Sequence, residues 1–121
     1  MKKEMEDRLI SFAMMLYEVC ENIDSGFIGT NLVNQLARSG TSAALNYAEA
    51  QSAESRKDFI HKTSLVLKEL RESGYNLTII QKANICNVPE KLQKALDESD
   101  ELIRIFYRAV ETARKNASSQ K

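Results

Sequence analysis

Leu92, Leu96, Ser99, Ile103, Phe106, Val110 and Ala113 recur at alternating steps of four and three residues, without a slip. A strand cannot use that spacing, because it turns alternate residues to opposite faces; a helix collects positions three and four apart into one stripe. The same period runs through three earlier segments. Met5, Leu9, Phe12, Leu16, Val19 and Ile23 carry it over 4–23, and Leu32, Leu36, Gly40, Ala43 and Tyr47 over 30–51. Phe59, Thr63, Val66, Leu70 and Leu77 carry it over 55–83, and the first seam belongs to a helix over 89–116. One proline and four glycines in 121 residues leave little material for a strand-and-turn fold.

The breaks between the segments carry their own signals. Asp24, Ser25, Gly26 and Gly29 read as turn residues, and Thr30 or Asn31 as the cap of the second helix. Ser55 followed by Asp58 resembles a capping box with Asp in place of Glu. Asn87, Glu90 and Pro89 open the fourth helix, and "NASSQK" reads as a frayed tail. Three short connections favour antiparallel neighbours, so the expected fold is all-α: a single domain over 1–121 folded as an up-down-up-down four-helix bundle.

Composition excludes several functions. With 17 basic and 17 acidic residues the chain lacks the basic excess of a general polyanion binder. Two cysteines, Cys20 and Cys86, and one histidine, His61, cannot build a zinc cluster, so reduced thiols near the core are expected. A di-metal carboxylate site needs a Glu-x-x-His pair on each of two helices, and the chain offers only Asp58 before His61. Nothing positions His61 against Ser39 or Ser42 as a hydrolase would require, and no Gly-rich phosphate loop is present. The reading is of a protein that is not an enzyme, with no cofactor, no metal and no small-molecule substrate. His61 is expected on a helix surface. Tyr17, Tyr47, Tyr75 and Tyr107, one per helix, are expected as anchors at the core edge rather than as a base-stacking platform. No apolar run reaches bilayer length, and "MKKEMEDRL" is too charged to open a signal peptide, so a cytoplasmic protein without membrane contact is expected.

The second helix poses a separate question. Ser39, Ser42, Asn46 and Glu49 form a polar stripe beside the small residues Gly40, Ala43, Ala44 and Ala48. Either these polar groups lie at a partly wet contact between helices of one chain, or they hydrogen-bond across a subunit interface, with Glu49 paired to a basic residue. Surplus apolar residues off the seams (Ile10, Leu45, Leu65, Ile79 and Ile105) favour the second reading. Arg38, Ser39, Ser42, Ala44, Asn46 and Glu49 are therefore the candidate interface.

The stretch "RSGTSAALNYAEAQSAESRKDFIHKTSLVLKELRES" resembles the signature of the bacterial 23S rRNA intervening-sequence protein family. Arg38, Ser39, Ser42, Asn46, Ala48, Glu49, Ser55, Lys57, Phe59, Ile60 and Glu69 carry the resemblance, and "RLISFAMMLYEVCENI" suits the family's first helix. The chain is also similar to the accessory proteins of diversity-generating retroelements, which share the bundle. The resemblance implies a homopentamer. Two departures stand out: Ala50 replaces a common glycine, and the chain is neutral where the retroelement proteins are basic.

An antiparallel bundle would sort charge by end. Ten basic and seven acidic residues fall at the end holding the first and third helix starts, Lys121 among them; three basic and seven acidic fall at the other. Helix-dipole preferences alone produce part of this asymmetry. The basic end directs attention to Arg56, Lys57, Lys62, Arg108, Arg114 and Lys115 as candidate contacts to RNA or DNA. The expected function is a self-assembling accessory or scaffold protein associated with nucleic acid. The alternative is a protein-interaction module with no nucleic-acid partner.

Overall fold

The computed structural model describes residues 2–24 and 26–119. It contains four helices: α1 (Lys2–Glu21), α2 (Phe27–Gln51), α3 (Arg56–Ala83) and α4 (Pro89–Ser119). Each packs on two neighbours, in the ring α1–α2–α3–α4 and back to α1. Polar contacts fix the direction. Arg38, Ser39 and Glu49 of α2 meet Glu72, Ser73 and Lys62 of α3, so one number falls as the other rises. Glu18 of α1 meets Lys91 of α4, and Arg8 meets Glu98 and Glu101, in the same antiparallel sense. The expected up-down-up-down bundle is the fold. No helix among the described residues is long and apolar enough to cross a membrane.

The core is built from the seams. Leu9, Phe12, Leu16 and Val19 of α1 are buried against Leu32, Leu36 and Ala43 of α2 and Val66, Leu70, Leu77 and Ile80 of α3. Burying each such leucine contributes roughly 1.5–3 kcal/mol. On α4 the buried file is turned to one flank of the expected seam: Ala95 and Leu102 are in the core with Leu92, Ser99 and Phe106, while Leu96 and Ile103 flank it. Tyr47 is half-buried and meets Phe106 edge to face, with centroids 5.7 Å apart.

The helix ends follow local chemistry with two corrections. Ser55 caps α3, its hydroxyl accepting from the Asp58 N–H at 3.0 Å. Asn84 closes α3 in the left-handed region at φ 56°, and Pro89 takes the first position of α4. By contrast, α2 is not capped by Thr30 or Asn31. It starts three residues earlier, at Phe27, with Gly26 before it and no side-chain cap. Gly29 is accordingly a buried helical residue, packed against the Asp24 carbonyl, and not a turn residue. The second correction is the tail, where α4 continues as helix to Ser119. Ser25, read as a turn residue, lies outside the described residues, as do Gln120 and Lys121.

The α1–α2 and α3–α4 connections are clipped together. Ile23 bridges Cys86, the Asp24 N–H donates to the Ile85 carbonyl at 2.9 Å, and the Asn87 N–H donates to the Asn22 carbonyl at 2.7 Å. Both thiols are free and half-buried beside this clip, donating to the carbonyls of Val33 and Val88. Burial pushes the Cys20 thiol up to about 11, which keeps it protonated and unreactive at neutral pH.

Candidate assembly and nucleic-acid surfaces

The polar stripe of α2 is used inside the chain. Ser39 is fully buried, and its hydroxyl shares a 2.7 Å hydrogen bond with Ser73 of α3. Glu49 does pair with a basic residue, but the partner is Lys62 of α3, at 3.2 Å. Arg38 reaches Glu69 at 3.2 Å and also binds Glu72. Glu69 is the more buried of these acids, and it holds the Arg38 guanidinium above its ordinary pKa range. Its Oε1 lies within ion-pair distance of Arg38 yet off the line of a hydrogen bond. Asn46 donates back to the Ser42 carbonyl at 2.9 Å, and Ala44 packs against the core. Much of the signature is thus a seam between α2 and α3.

The small residues explain themselves at the same level. A Cβ on Gly40 would stand 2.6 Å from Leu16 Cδ1, so α1 and α2 approach closely there. A Cβ on Gly74 would stand 3.0 Å from the Ser99 hydroxyl, which is buried and has no hydrogen-bond partner among the described residues. Ser39, Gly40, Ser73, Gly74 and Ser99 form one thin layer across the bundle. Removing one serine of the bonded pair strands the other: Ser39→Ala should cost roughly 1–3 kcal/mol. Ser39→Ala with Ser73→Ala together should cost clearly less than the two single changes added. Urea unfolding of the four-member cycle measures this, and strict additivity would refute a working Ser39–Ser73 bond.

The face that the stripe leaves free is apolar. The only charges on α2 are Arg38 and Glu49, and both turn to α3. No charge interrupts α1 between Arg8 and Glu18. Ile10, Met14 and Tyr17, at steps of four and three, are each 55% exposed, and Leu45 of α2 is 64% exposed. Of the other off-seam residues, Ile79 is exposed, while Leu65 and Ile105 are partly buried. The middle of the outer side of α1, from Leu9 to Tyr17, therefore carries no charge, and with Leu45 of α2 it holds four large apolar side chains.

The expected cationic set divides. Arg56 and Lys57 are exposed in the first turn of α3, and Arg56 lines a hollow with Lys2 and Asn116 at the bundle end. Lys62 is engaged by Glu49, and Arg108 is exposed on α4. Arg114 and Lys115 instead line a cleft of ≈ 600 Å³ between α3 and α4, floored by Leu67 and Val110. Arg114 donates to the Ser64 hydroxyl at 3.3 Å across that cleft. His61 is exposed, as expected.

The tyrosines depart from expectation. Tyr47 alone is half-buried; Tyr17, Tyr75 and Tyr107 are exposed. Tyr75 and Tyr107 flank the α3–α4 cleft, and the Arg71 guanidinium lies 6.0 Å from the Tyr107 ring centroid. Reading the seams missed Arg71 and set Tyr75 and Tyr107 at the core edge, because none of the three falls in an apolar file. The available signal was an arginine one turn from a tyrosine on α3, facing a tyrosine two turns from an arginine on α4.

Comparison with known proteins agrees with this architecture. The profile of the family described as 23S rRNA-intervening sequence protein matches residues 2–108. Among solved structures, the chain is similar to a crystal structure from Bacteroides thetaiotaomicron VPI-5482, described as a protein with unknown function from the S23 ribosomal protein family. The two share 29% identity and a TM-score of 0.73, over 87% of this chain and 96% of that one. No curated protein matches.

Proposed function

This chain belongs to the 23S rRNA-intervening sequence protein family, and we propose that it is a non-catalytic bundle that assembles with copies of itself into a ring of five. We further propose that the ring is an accessory or scaffold protein for nucleic acid in the cytoplasm. The observation that carries this reading is the exposed apolar stretch in the middle of α1, from Leu9 to Tyr17, with Leu45 of α2. A surface with Ile10, Met14, Tyr17 and Leu45 exposed and no charge among them is unfavourable in water and suits a contact between copies. The count of five comes from the family resemblance. Polar groups that a catalytic site would need are engaged in joining α2 to α3.

Assembly matters for the nucleic-acid part. One chain has only a small local excess of basic charge at the end bearing Arg56 and Lys57, and repetition around a ring multiplies it. Arg56 and Lys57 are exposed without carboxylate partners among the described residues, at a helix start whose dipole also favours phosphate. Arg56→Glu with Lys57→Glu should abolish salt-sensitive retention of RNA or DNA and leave the oligomer intact. The check is filter binding at several ionic strengths beside a mass measurement. Wild-type protein that retains neither nucleic acid at low salt contradicts this half of the proposal. In that case a protein-interaction module becomes the better reading. Phe27 and Ile28, exposed at the start of α2, favour it.

A further inference from the structure

The cleft between α3 and α4 has a composition that the bundle does not require. Lys68, Arg71 and Arg114 line it, and none is ion-paired among the described residues. Two acids lie on the same stretch of rim. Glu72 is engaged by Arg38, which leaves Glu111, and Asp100 marks the far end of the groove. Its floor is apolar, formed by Leu67 and Val110. Two tyrosines rise from its walls, Tyr75 at 74% and Tyr107 at 49% exposure. A core-edge tyrosine would be covered over most of its ring, and Tyr75 is not.

We propose that this groove binds a short stretch of single-stranded nucleic acid, with bases stacked on Tyr75 and Tyr107 and phosphates on Arg71 and Arg114. The inference rests on the nucleic-acid reading above and extends the strand's path from the Arg56–Lys57 end into this groove. The two aromatic positions are staggered. Arg71 stands across from Tyr107, and Tyr75 is one turn further along α3, so the rings lie about 6 Å apart along the bundle axis at 1.5 Å per residue. Ser64 and Arg114, also in contact, sit roughly 16 Å from Tyr75 by the same rise. The groove therefore spans a few nucleotides, with ring faces at one end and a guanidinium at the other. Arg71 lies over Tyr107 at 6.0 Å, the outer limit of a cation–π contact, so it swings off the ring to a phosphate when a base stacks there. A duplex hides its base faces in its own stack and offers only phosphates, so it cannot use the tyrosines. Glu111, between Tyr107 and Arg114 on α4, repels phosphate from the α4 wall of that stretch.

The test uses the full chain and three labelled probes: oligouridylate, oligothymidylate and a mixed-sequence duplex, followed by fluorescence anisotropy. Wild type should bind at least one single strand more tightly than the duplex, and the ratio of the two single strands tells RNA from DNA. Tyr107→Ala and Tyr75→Ala should each weaken that binding about ten-fold or more, the usual worth of one stacked base. Tyr107→Phe, which keeps the ring, should restore most of it. Both side chains are exposed, so the variants should keep wild-type helix content by circular dichroism. Wild type that binds single strands while both alanine variants bind equally well overturns the groove and leaves the nucleic-acid reading standing. Duplex bound as tightly as single strand also overturns the groove alone. Wild type that binds none of the probes overturns both.

Discussion

Met14→Glu is expected to leave a folded bundle and to dissolve the assembly. Met14 lies mid-way along the exposed stripe of α1, between Ile10 and Tyr17, and is itself 55% exposed. Glutamate there meets water in the single chain, and α1 keeps its buried file of Leu9, Phe12, Leu16 and Val19. Helix content should therefore stay at the wild-type level. In the assembly the same carboxylate would be pressed against a surface that offers no cation, since α1 carries no charge from Leu9 to Tyr17 and the two charges of α2 are engaged by α3. Burying an uncompensated carboxylate costs several kcal/mol, and a ring repeats that cost at every contact. Light scattering should return the single-chain mass of 13.7 kDa for the variant. An unchanged oligomer would show that α1 and α2 face solvent in the assembly. Ala43→Glu makes the contrast: Ala43 is fully buried in the core, so this variant should unfold.

Gly29→Ala should be the most damaging single methyl in the chain. The added Cβ would stand 2.3 Å from the Asp24 carbonyl oxygen. At Gly40 the neighbour is the tip of Leu16, which can rotate; at Gly29 it is backbone, which cannot. Asp24 is also held from the far side, because its N–H donates to the Ile85 carbonyl. Moving Asp24 therefore strains the clip that joins the two loops at that end. The expected loss is about 3 kcal/mol, the upper part of the usual range for overpacking. For a chain of this length that lowers Tm by about 12 °C. Gly26→Ala is the control. Nothing lies within 4 Å of its Cβ position and its φ is extended, so stability should barely change. Equal melting temperatures for the two variants would contradict this account of the loop.

Periodicity made the helices legible, because a seam of apolar side chains records which face of a helix is covered. Leu9, Phe12, Leu16 and Val19 are read and found in the same role. Chemistry confined to a few adjacent residues was legible as well, as with Ser55 capping Asp58 and Pro89 opening α4. What the order of residues does not record is which neighbour lies against a given flank. Ser39 and Ser73 are 34 positions apart, so a polar stripe on α2 could be assigned a direction but not a partner. The start of α2 escaped for a related reason. Gly29 looks like a turn residue until tertiary contact shows its missing side chain to be the fit against Asp24. Tyr75 and Tyr107 lie at flank positions that a neighbouring helix either covers or leaves open, and the α3–α4 cleft leaves them open.

The central claim is that the exposed apolar stretch of α1 and α2, with Ile10, Met14, Tyr17 and Leu45, is covered by further copies of this chain. The most direct measurement is the absolute mass of the wild-type protein by multi-angle light scattering, taken through a dilution series into the low micromolar range at high and low salt. The proposed ring of five predicts a mass about five times the 13.7 kDa of one chain, and an apolar contact leaves it unchanged by salt. A mass of 13.7 kDa throughout the series would mean that the exposed stripe of Ile10, Met14 and Tyr17 stays open to water, and the assembly proposal would be wrong.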